Sequence, residues 1–228
     1  MLFLLEDDAP DEVRGAAAGA IGALSAEPAV GAALAGETRA PALLARMLRD
    51  APADAEPSSE QRRLHQLRVA APAARALRVL AGARGAHDAL ATLGDGPVLA
   101  LLLDLLSADD AELQESAAAL VGSVALAPAG AASLAQTDAV ARLVPLLSAR
   151  DEGVQLAATR ALKNLAARAG VADGVAQAGG MAPLVKMLRS RSAPLTEAAA
   201  AALELLTMDA ERRAEFAATI PPESVPAT

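Results

Sequence analysis

The stretch VQLAATRALKNLAARAG, residues 154–170, decides the fold. Its apolar residues recur every three or four positions, which places them on one face of an α-helix. They are Val154, Ala157, Ala158, Ala161, Leu162 and Leu165. The same stretch holds the only asparagine in the chain, Asn164. Asparagine is unfavourable inside a helix because its side chain competes for backbone hydrogen bonds. The segment therefore predicts an amphipathic helix with one polar residue that requires an explanation.

The same helical pattern recurs along the chain. It begins at Val13, Val69, Leu113, Val154 and Leu195, at spacings of 56, 44, 41 and 41 residues. Between these segments lie a short, weakly amphipathic piece, a glycine or polar break, and a second apolar helix such as residues 181–190. A helical period of about 40 residues is typical of an α-solenoid, in which each unit stacks on its neighbours. We therefore predict an all-α solenoid whose unit is a short, a medium and a long helix.

One unit, SARDEGVQLAATRALKNLAARAGVADGVAQAGGMAPLVKMLRS at residues 148–190, resembles the armadillo repeat. The resemblance extends over nearly the whole chain and is strongest over residues 107–206. It implies a right-handed α-solenoid of about five armadillo-type repeats, forming one domain over residues 1–228. HEAT repeats are the nearest alternative, although the three-part unit and the glycine break favour armadillo.

Three segments depart from the repeat. Residues 51–66, APADAEPSSEQRRLHQ, lengthen the first interval, and we expect an inserted flexible loop there. Pro72 falls inside the second long helix, which should begin or bend at that point, because proline fits only the first helical turn without a kink. Residues 217–228 should form a C-terminal tail. Residues 2–5 look like the end of a medium helix, so we expect the chain to be part of a longer solenoid.

The composition limits the possible partners. Hydrophobic residues make up 54% of the chain and aromatic residues only 1%, so alanine and leucine must build a core of closely packed helices. The absence of cysteine excludes disulfides, thiolate metal sites and cysteine nucleophiles. A net charge of −8 argues against a nucleic-acid partner, and the longest apolar run is too short to cross a membrane. We expect a cytoplasmic location, with ciliary, nuclear and organellar sites left open.

Few residues could support catalysis. The two histidines, His65 and His87, have no paired metal ligands nearby in the sequence. Acidic pairs at 109–110 and 151–152 directly precede long helices, where acids favour the positive helix end. The candidate caps of these helices are Ser107 and Ser148. We predict no enzyme activity, no cofactor, no metal and no small-molecule substrate.

The resemblance also implies a concave groove lined by the long helices. Peptide-binding members of the family carry an asparagine near the end of each long helix, and some carry a tryptophan four residues earlier. Only Asn164 matches the asparagine pattern. The other asparagine positions hold Ala23, Val79, Ser123 and Leu205, and the tryptophan positions hold Gly19, Arg75, Ala119, Arg160 and Ala201. One turn further back lie Gly15, Ala71, Glu115, Leu156 and Glu197. The candidate partner-binding residues are Arg75, Val79, Glu115, Ser123, Arg160, Asn164 and Glu197.

These features predict a non-enzymatic protein interaction scaffold or adaptor. The partner would be a helix, a peptide or the surface of a larger assembly, because small groove residues permit close approach and mixed charges favour one register. The arginines clustered between residues 62 and 84 favour an acidic protein patch over RNA, since no aromatic side chains are present there for base stacking. Two narrower roles stay open: the substrate-binding armadillo region of a ubiquitin ligase, and a structural subunit of a large ciliary or organellar assembly.

Overall fold

The computed structural model describes residues 2–5, 9–36, 39–49, 66–81, 97–169 and 171–208. Within these ranges the chain forms twelve α-helices, a 3₁₀ turn and a π-helical turn, and no β-strand. The predicted tail, both histidines and all of the expected loop except Gln66 lie outside the described residues.

The helices are of three kinds, according to length and position in the unit. The long helices are α1 (Asp11–Ser25), α4 (Ala71–Ala81), α6 (Ala111–Val124), α9 (Glu152–Ala169) and α12 (Ala193–Leu206). The medium helices are α3 (Arg39–Arg49), α5 (Pro97–Leu105), α8 (Ala139–Leu146) and α11 (Met181–Met187). The short helices are α2 (Pro28–Gly36), α7 (Pro128–Ala135) and α10 (Ala172–Gln177). The 3₁₀ turn is Leu2–Leu5 and the π-helical turn is Gln66–Ala70.

Successive long helices pack side by side in chain order, from α1 through α4, α6 and α9 to α12. A layer of medium helices covers them on one side: α3 packs on α4, α5 on α6, α8 on α9 and α11 on α12. Each unit thus contacts mainly its neighbours, as in a solenoid. The predicted all-α solenoid is confirmed, and the long helices form one continuous layer.

Small residues let the long helices approach closely, which compensates for the lack of aromatic side chains. A Cβ atom added at Gly22 would lie 3.2 Å from the Cα of Ala76, and one added at Gly122 would lie 3.2 Å from the Cα of Ala161. Both contacts join neighbouring long helices, α1 to α4 and α6 to α9. Dense packing of this kind supplies dispersion contacts in place of large side chains.

Acidic side chains start two of the long helices. The carboxylates of Asp110 and Asp151 accept hydrogen bonds, 2.9 and 3.0 Å long, from backbone N–H groups three residues further on. The predicted caps Ser107 and Ser148 are wrong. Each serine lies three residues before the capping aspartate, in the turn that ends the medium helix, so its hydroxyl is too far from the first helical N–H groups.

Glycine ends the short helix α10. Gly179 has a positive φ of 79°, which suits glycine because it has no Cβ. Its N–H donates to the carbonyl of Ala176 at 2.9 Å, and the N–H of Gly180 donates to the carbonyl of Val175 at 2.8 Å. This is the Schellman arrangement, which satisfies the last carbonyls of a helix.

Proline marks the start of α4, as the sequence predicts. Pro72 is the second residue of α4, directly after the π-helical turn Gln66–Ala70. Pro72 has no N–H to donate to the carbonyl of Arg68 four residues earlier, so regular α-helical bonding begins only at this point. Gln66, the last residue of the expected loop, is thus the first residue of the turn that leads into α4.

Candidate binding groove

Each long helix turns one stripe of side chains away from the core and the medium helices. The five stripes are centred on Gly19, Arg75, Ala119, Arg160 and Ala201, all of which are exposed or half-buried. We call their combined surface the long-helix face. All seven candidate residues lie on it: Arg75, Arg160 and Glu197 are exposed, and Val79, Glu115, Ser123 and Asn164 are half-buried.

One predicted groove position is wrong. Ala71 is 6% exposed and belongs to the core, whereas Pro72, one residue later, lines the long-helix face. Ala71 is the first residue of α4 and is covered where this end of the helix packs against its neighbours, whereas Arg75 and Val79 further along the same helix line the cleft.

A cleft of about 460 Å³ lies between α1 and α4 on the long-helix face. Five predicted groove positions line it, namely Gly15, Gly19, Ala23, Arg75 and Val79. Its floor must be small: a Cβ atom at Gly15 would lie 1.8 Å from the carbonyl oxygen of Arg68. The cleft is therefore shaped by backbone and glycine, with arginine side chains at its edge.

Ion pairs join the π-helical turn to α1 and α4 to α6. They are Arg68–Glu12 at 3.0 Å, Arg75–Glu112 at 3.1 Å and Arg78–Glu115 at 3.8 Å. The side chains of Arg75 and Glu112 are 47% and 52% exposed, so solvent screens the pair and it contributes at most about 1 kcal/mol. These pairs nevertheless supply the arginines of α4 and of the π-helical turn before it with carboxylates from within the chain.

Asn164 joins two long helices. Its Nδ2 donates a 2.9 Å hydrogen bond to the carbonyl oxygen of Gly122. That carbonyl lies in the last turn of α6, where backbone carbonyls lack a partner within the helix. The amide nitrogen thus satisfies an acceptor of the neighbouring helix at the close contact between α6 and α9. The Oδ1 of Asn164 accepts no hydrogen bond from the described residues.

Charges on the last two stripes are not paired in the same way. Among the described residues, Arg160 and Lys163 of α9 form no ion pair, nor do Glu197 and Glu204 of α12. The structure therefore brings Arg75 together with Val79, and Glu115 with Arg78, but leaves Arg160 and Glu197 apart. Sequence reasoning missed Glu12 and Glu112, whose only signal is their position in the first turn of a long helix.

The opposite layer holds one further charged cluster. Arg142 of α8 donates to Asp138 at 2.7 Å, to Asp104 at 3.0 Å and to the carbonyl of Leu103 at 3.3 Å. The hydrogen bond to Asp138 is the main cause of a raised pKa of Arg142, which stays protonated. This cluster ties α8 to α5. Among the described residues no three histidine, cysteine or acidic side chains gather to hold a metal.

The described part of the chain has no single helix long and apolar enough to cross a membrane. By length and composition alone, α6 and α7 pass such a test only together, and they are bent by 118° at their junction.

A family model for the armadillo/beta-catenin-like repeat matches residues 129–167 and 175–208. Each of the two matched segments is therefore an armadillo repeat. The first match runs from α7 to the end region of α9, and the second from α10 to the end of α12, so each covers a short, a medium and a long helix. The armadillo assignment thus prevails over the HEAT alternative.

Solved structures share this fold over 96% of the chain. A designed armadillo repeat protein is 22% identical with a TM-score of 0.76, covering 96% of this chain and 86% of its own. Another, in complex with the peptide (KR)4, is 20% identical with a TM-score of 0.73, covering 96% and 85%. An engineered protein is 23% identical with a TM-score of 0.72, covering 96% and 92%. A search of curated proteins found no match.

Proposed function

We propose that this armadillo-repeat protein is a non-enzymatic scaffold that binds a partner protein on its long-helix face. The observation that carries the proposal is the cleft of about 460 Å³ between α1 and α4. The stripes of α6, α9 and α12 extend the same long-helix face. A concave, small-floored site accepts a large apolar side chain and removes it from water, which is the main source of binding free energy.

The shape and charge of the cleft favour one kind of partner. Glycine and alanine form its floor, and the arginines at its edge are already paired with glutamates, so a bulky apolar side chain flanked by neutral residues fits best. A designed protein of the same fold is solved with the basic peptide (KR)4. We expect a different preference here, because the glutamates at this cleft already pair with Arg68, Arg75 and Arg78 and are not free to bind a basic segment.

The narrower roles depend on which partner binds. An adaptor would join two soluble proteins, the armadillo region of a ubiquitin ligase would hold a substrate, and a structural subunit would remain in a large assembly. We propose the adaptor role, since the long-helix face combines an apolar cleft with charges that fix a register.

A steric block of the cleft tests the proposal. Gly19 lines the cleft, and a Cβ atom added there would meet nothing within 4 Å, so Gly19→Leu should fill the cleft without disturbing the fold. Ala141→Leu is the matched control, because Ala141 is exposed on α8 in the medium-helix layer. Both variants and the wild type would be used for affinity capture from the source organism, with quantitative mass spectrometry.

We expect at least one protein to be captured by the wild type and by Ala141→Leu, and to be depleted with Gly19→Leu. Equal capture by all three proteins would refute binding at the cleft. Capture that no variant distinguishes from beads without protein would refute the scaffold proposal itself. Purified candidates would then be titrated against the three proteins to confirm direct contact.

A further inference from the structure

Two long helices of the solenoid present the same pair of cations. Arg75 lies six residues after the repeat start at Val69, and Arg160 lies six residues after the repeat start at Val154. Both arginines are exposed on the long-helix face. Three residues further on, Arg78 of α4 corresponds to Lys163 of α9. The same pair of cations therefore occurs on α4 and on α9, and the neighbours of the two pairs can be compared.

The acidic residues that face these cations differ. Beside α4, the carboxylate of Glu112 on α6 forms an ion pair with the guanidinium of Arg75 at a distance of 3.1 Å. Glu112 lies in the first turn of α6, one residue before the repeat start at Leu113, and the corresponding residue of α12 is Pro194. Proline has no carboxylate. Among the described residues Arg160 accordingly has no ion-pair partner, whereas Arg75 has one.

Lys163, the second cation of α9, also has no ion-pair partner on α12 among the described residues. Glu115, which pairs with Arg78 at 3.8 Å, corresponds to Glu197 of α12. No ion pair joins Lys163 to Glu197 in the described structure, although both are present. The face of α9 therefore carries two cations of which neither is neutralised by α12.

We infer that Arg160 binds a carboxylate of the partner protein, in the place that Glu112 takes for Arg75. This inference rests on the proposed scaffold function and adds the chemistry of the partner: a glutamate or aspartate side chain on the segment that crosses from α9 to α12. Guanidinium groups favour carboxylates because both are planar and can form two parallel hydrogen bonds.

The acidic residues of α12 favour a single carboxylate over a polyanion as the ligand of Arg160. Glu197 and Glu204 are exposed on α12, the long helix that packs against α9. They repel a nucleic-acid backbone or a long acidic run, but they tolerate one acidic residue placed over Arg160 and followed by neutral or basic residues. The occupant is thus an isolated acidic side chain in a mixed sequence.

Side-chain nuclear magnetic resonance can test this at the residue itself. The Nε–Hε signals of ¹⁵N-labelled arginines would be followed at low ionic strength, while the blocked peptide Ac-Ala-Ala-Glu-Ala-Ala-amide is added. The matched peptide has glutamine in place of glutamate. Arg189, exposed in the turn after α11, is the internal control for general attraction between arginine and carboxylate.

We expect the Arg160 signal to respond to the glutamate peptide with an apparent Kd about two- to fivefold lower than that of Arg189, the range that a surface ion pair supplies. The glutamine peptide should leave it unchanged. An equal response of Arg160 and Arg189, or an equal response to both peptides, would overturn the inference.

Two variants test the comparison between repeats. Pro194→Glu gives α12 the acid that α6 has, and it should silence the response of Arg160 without changing Arg160 itself. An acid in the first turn of α12 also suits the helix dipole, so the fold should be retained. Glu112→Ala removes the partner of Arg75 and should make Arg75 respond as Arg160 does in the wild type. If Pro194→Glu leaves the Arg160 response intact, or Glu112→Ala leaves Arg75 silent, the inference fails.

The same experiments separate this inference from the scaffold proposal. If Arg160→Glu captures the partner as well as Arg189→Glu does, while Gly19→Leu abolishes capture, the carboxylate site is refuted and the scaffold function stands. If Gly19→Leu leaves capture unchanged, the cleft is refuted, whatever the response of Arg160.

Discussion

Replacing Asn164 should weaken the contact between α6 and α9. The substitution Asn164→Ala removes the 2.9 Å hydrogen bond from Nδ2 to the carbonyl of Gly122. Leaving a buried acceptor without a donor costs about 1–3 kcal/mol, and the lower part of that range applies because Asn164 is half-buried and water can reach it. Alanine is a better helix former by about 0.6 kcal/mol. We therefore expect a net loss of roughly 0.5–1.5 kcal/mol in the free energy of unfolding.

Two further substitutions separate the hydrogen bond from helix propensity. Asn164→Asp keeps the size of the side chain but places a carboxylate against the Gly122 carbonyl, so it should lose more stability than Asn164→Ala. Ser123 is the equivalent residue of α6, and its hydroxyl bonds only to Ala119 of its own helix. Ser123→Ala should therefore be neutral or stabilising, by up to about 0.5 kcal/mol.

Urea unfolding followed by far-ultraviolet circular dichroism would measure these differences, with hydrogen exchange of the α6 and α9 amides as a local probe. The local probe is needed because solenoids can unfold repeat by repeat. If Asn164→Ala were as stable as Ser123→Ala and hydrogen exchange in α6 were unchanged, the hydrogen bond to Gly122 would not hold these helices together.

Three other substitutions test the backbone of the solenoid, each by thermal unfolding against the wild type. Gly15→Ala should be strongly destabilising, because its Cβ would lie 1.8 Å from the carbonyl oxygen of Arg68. Gly19→Ala, in open space on the same helix, should stabilise the fold by about 0.5–1 kcal/mol. A change in stability of the same sign for both variants would contradict the close approach of α1 and α4. Asp110→Ala should cost about 0.5–2 kcal/mol through loss of the N-cap, and Asp110→Asn much less. Gly179→Ala should cost roughly 1–2 kcal/mol, since its φ is 79°; an unchanged melting temperature would show that another residue ends α10.

The fold was predictable because it depends on a pattern that every repeat shares. Apolar residues at helical spacing, glycine at the end of α10 and proline at the start of α4 each act locally, so a single sequence contains the signal. The N-cap residues of the long helices were harder to predict from the sequence. Serine and aspartate are both good N-caps, and only the observed start of α9 at Glu152 decides in favour of Asp151 over Ser148.

The contacts between repeats were not predictable from one sequence. The bond from Asn164 to Gly122 joins residues 42 positions apart, and the pair Arg75–Glu112 depends on how α4 and α6 lie against each other. Family resemblance placed Asn164 in the groove, among the candidate partner-binding residues. The structure gives its nitrogen an acceptor within the chain, because a close helix contact puts an unsatisfied carbonyl within reach.

Pairing within the chain divides the long-helix face into two parts with different roles. A partner carboxylate that approaches α4 must displace Glu112 from Arg75, so it exchanges one exposed ion pair for another and gains little. The same carboxylate on α9 displaces no acid among the described residues. If the proposed function is correct, we expect the region around α1 and α4 to bind through the shape and apolar floor of its cleft, and α9 to add the electrostatic selection. Since the two regions share no residue, their contributions to the binding free energy should be nearly additive, and a partner must carry a bulky apolar group and an acid at a fixed separation to use both.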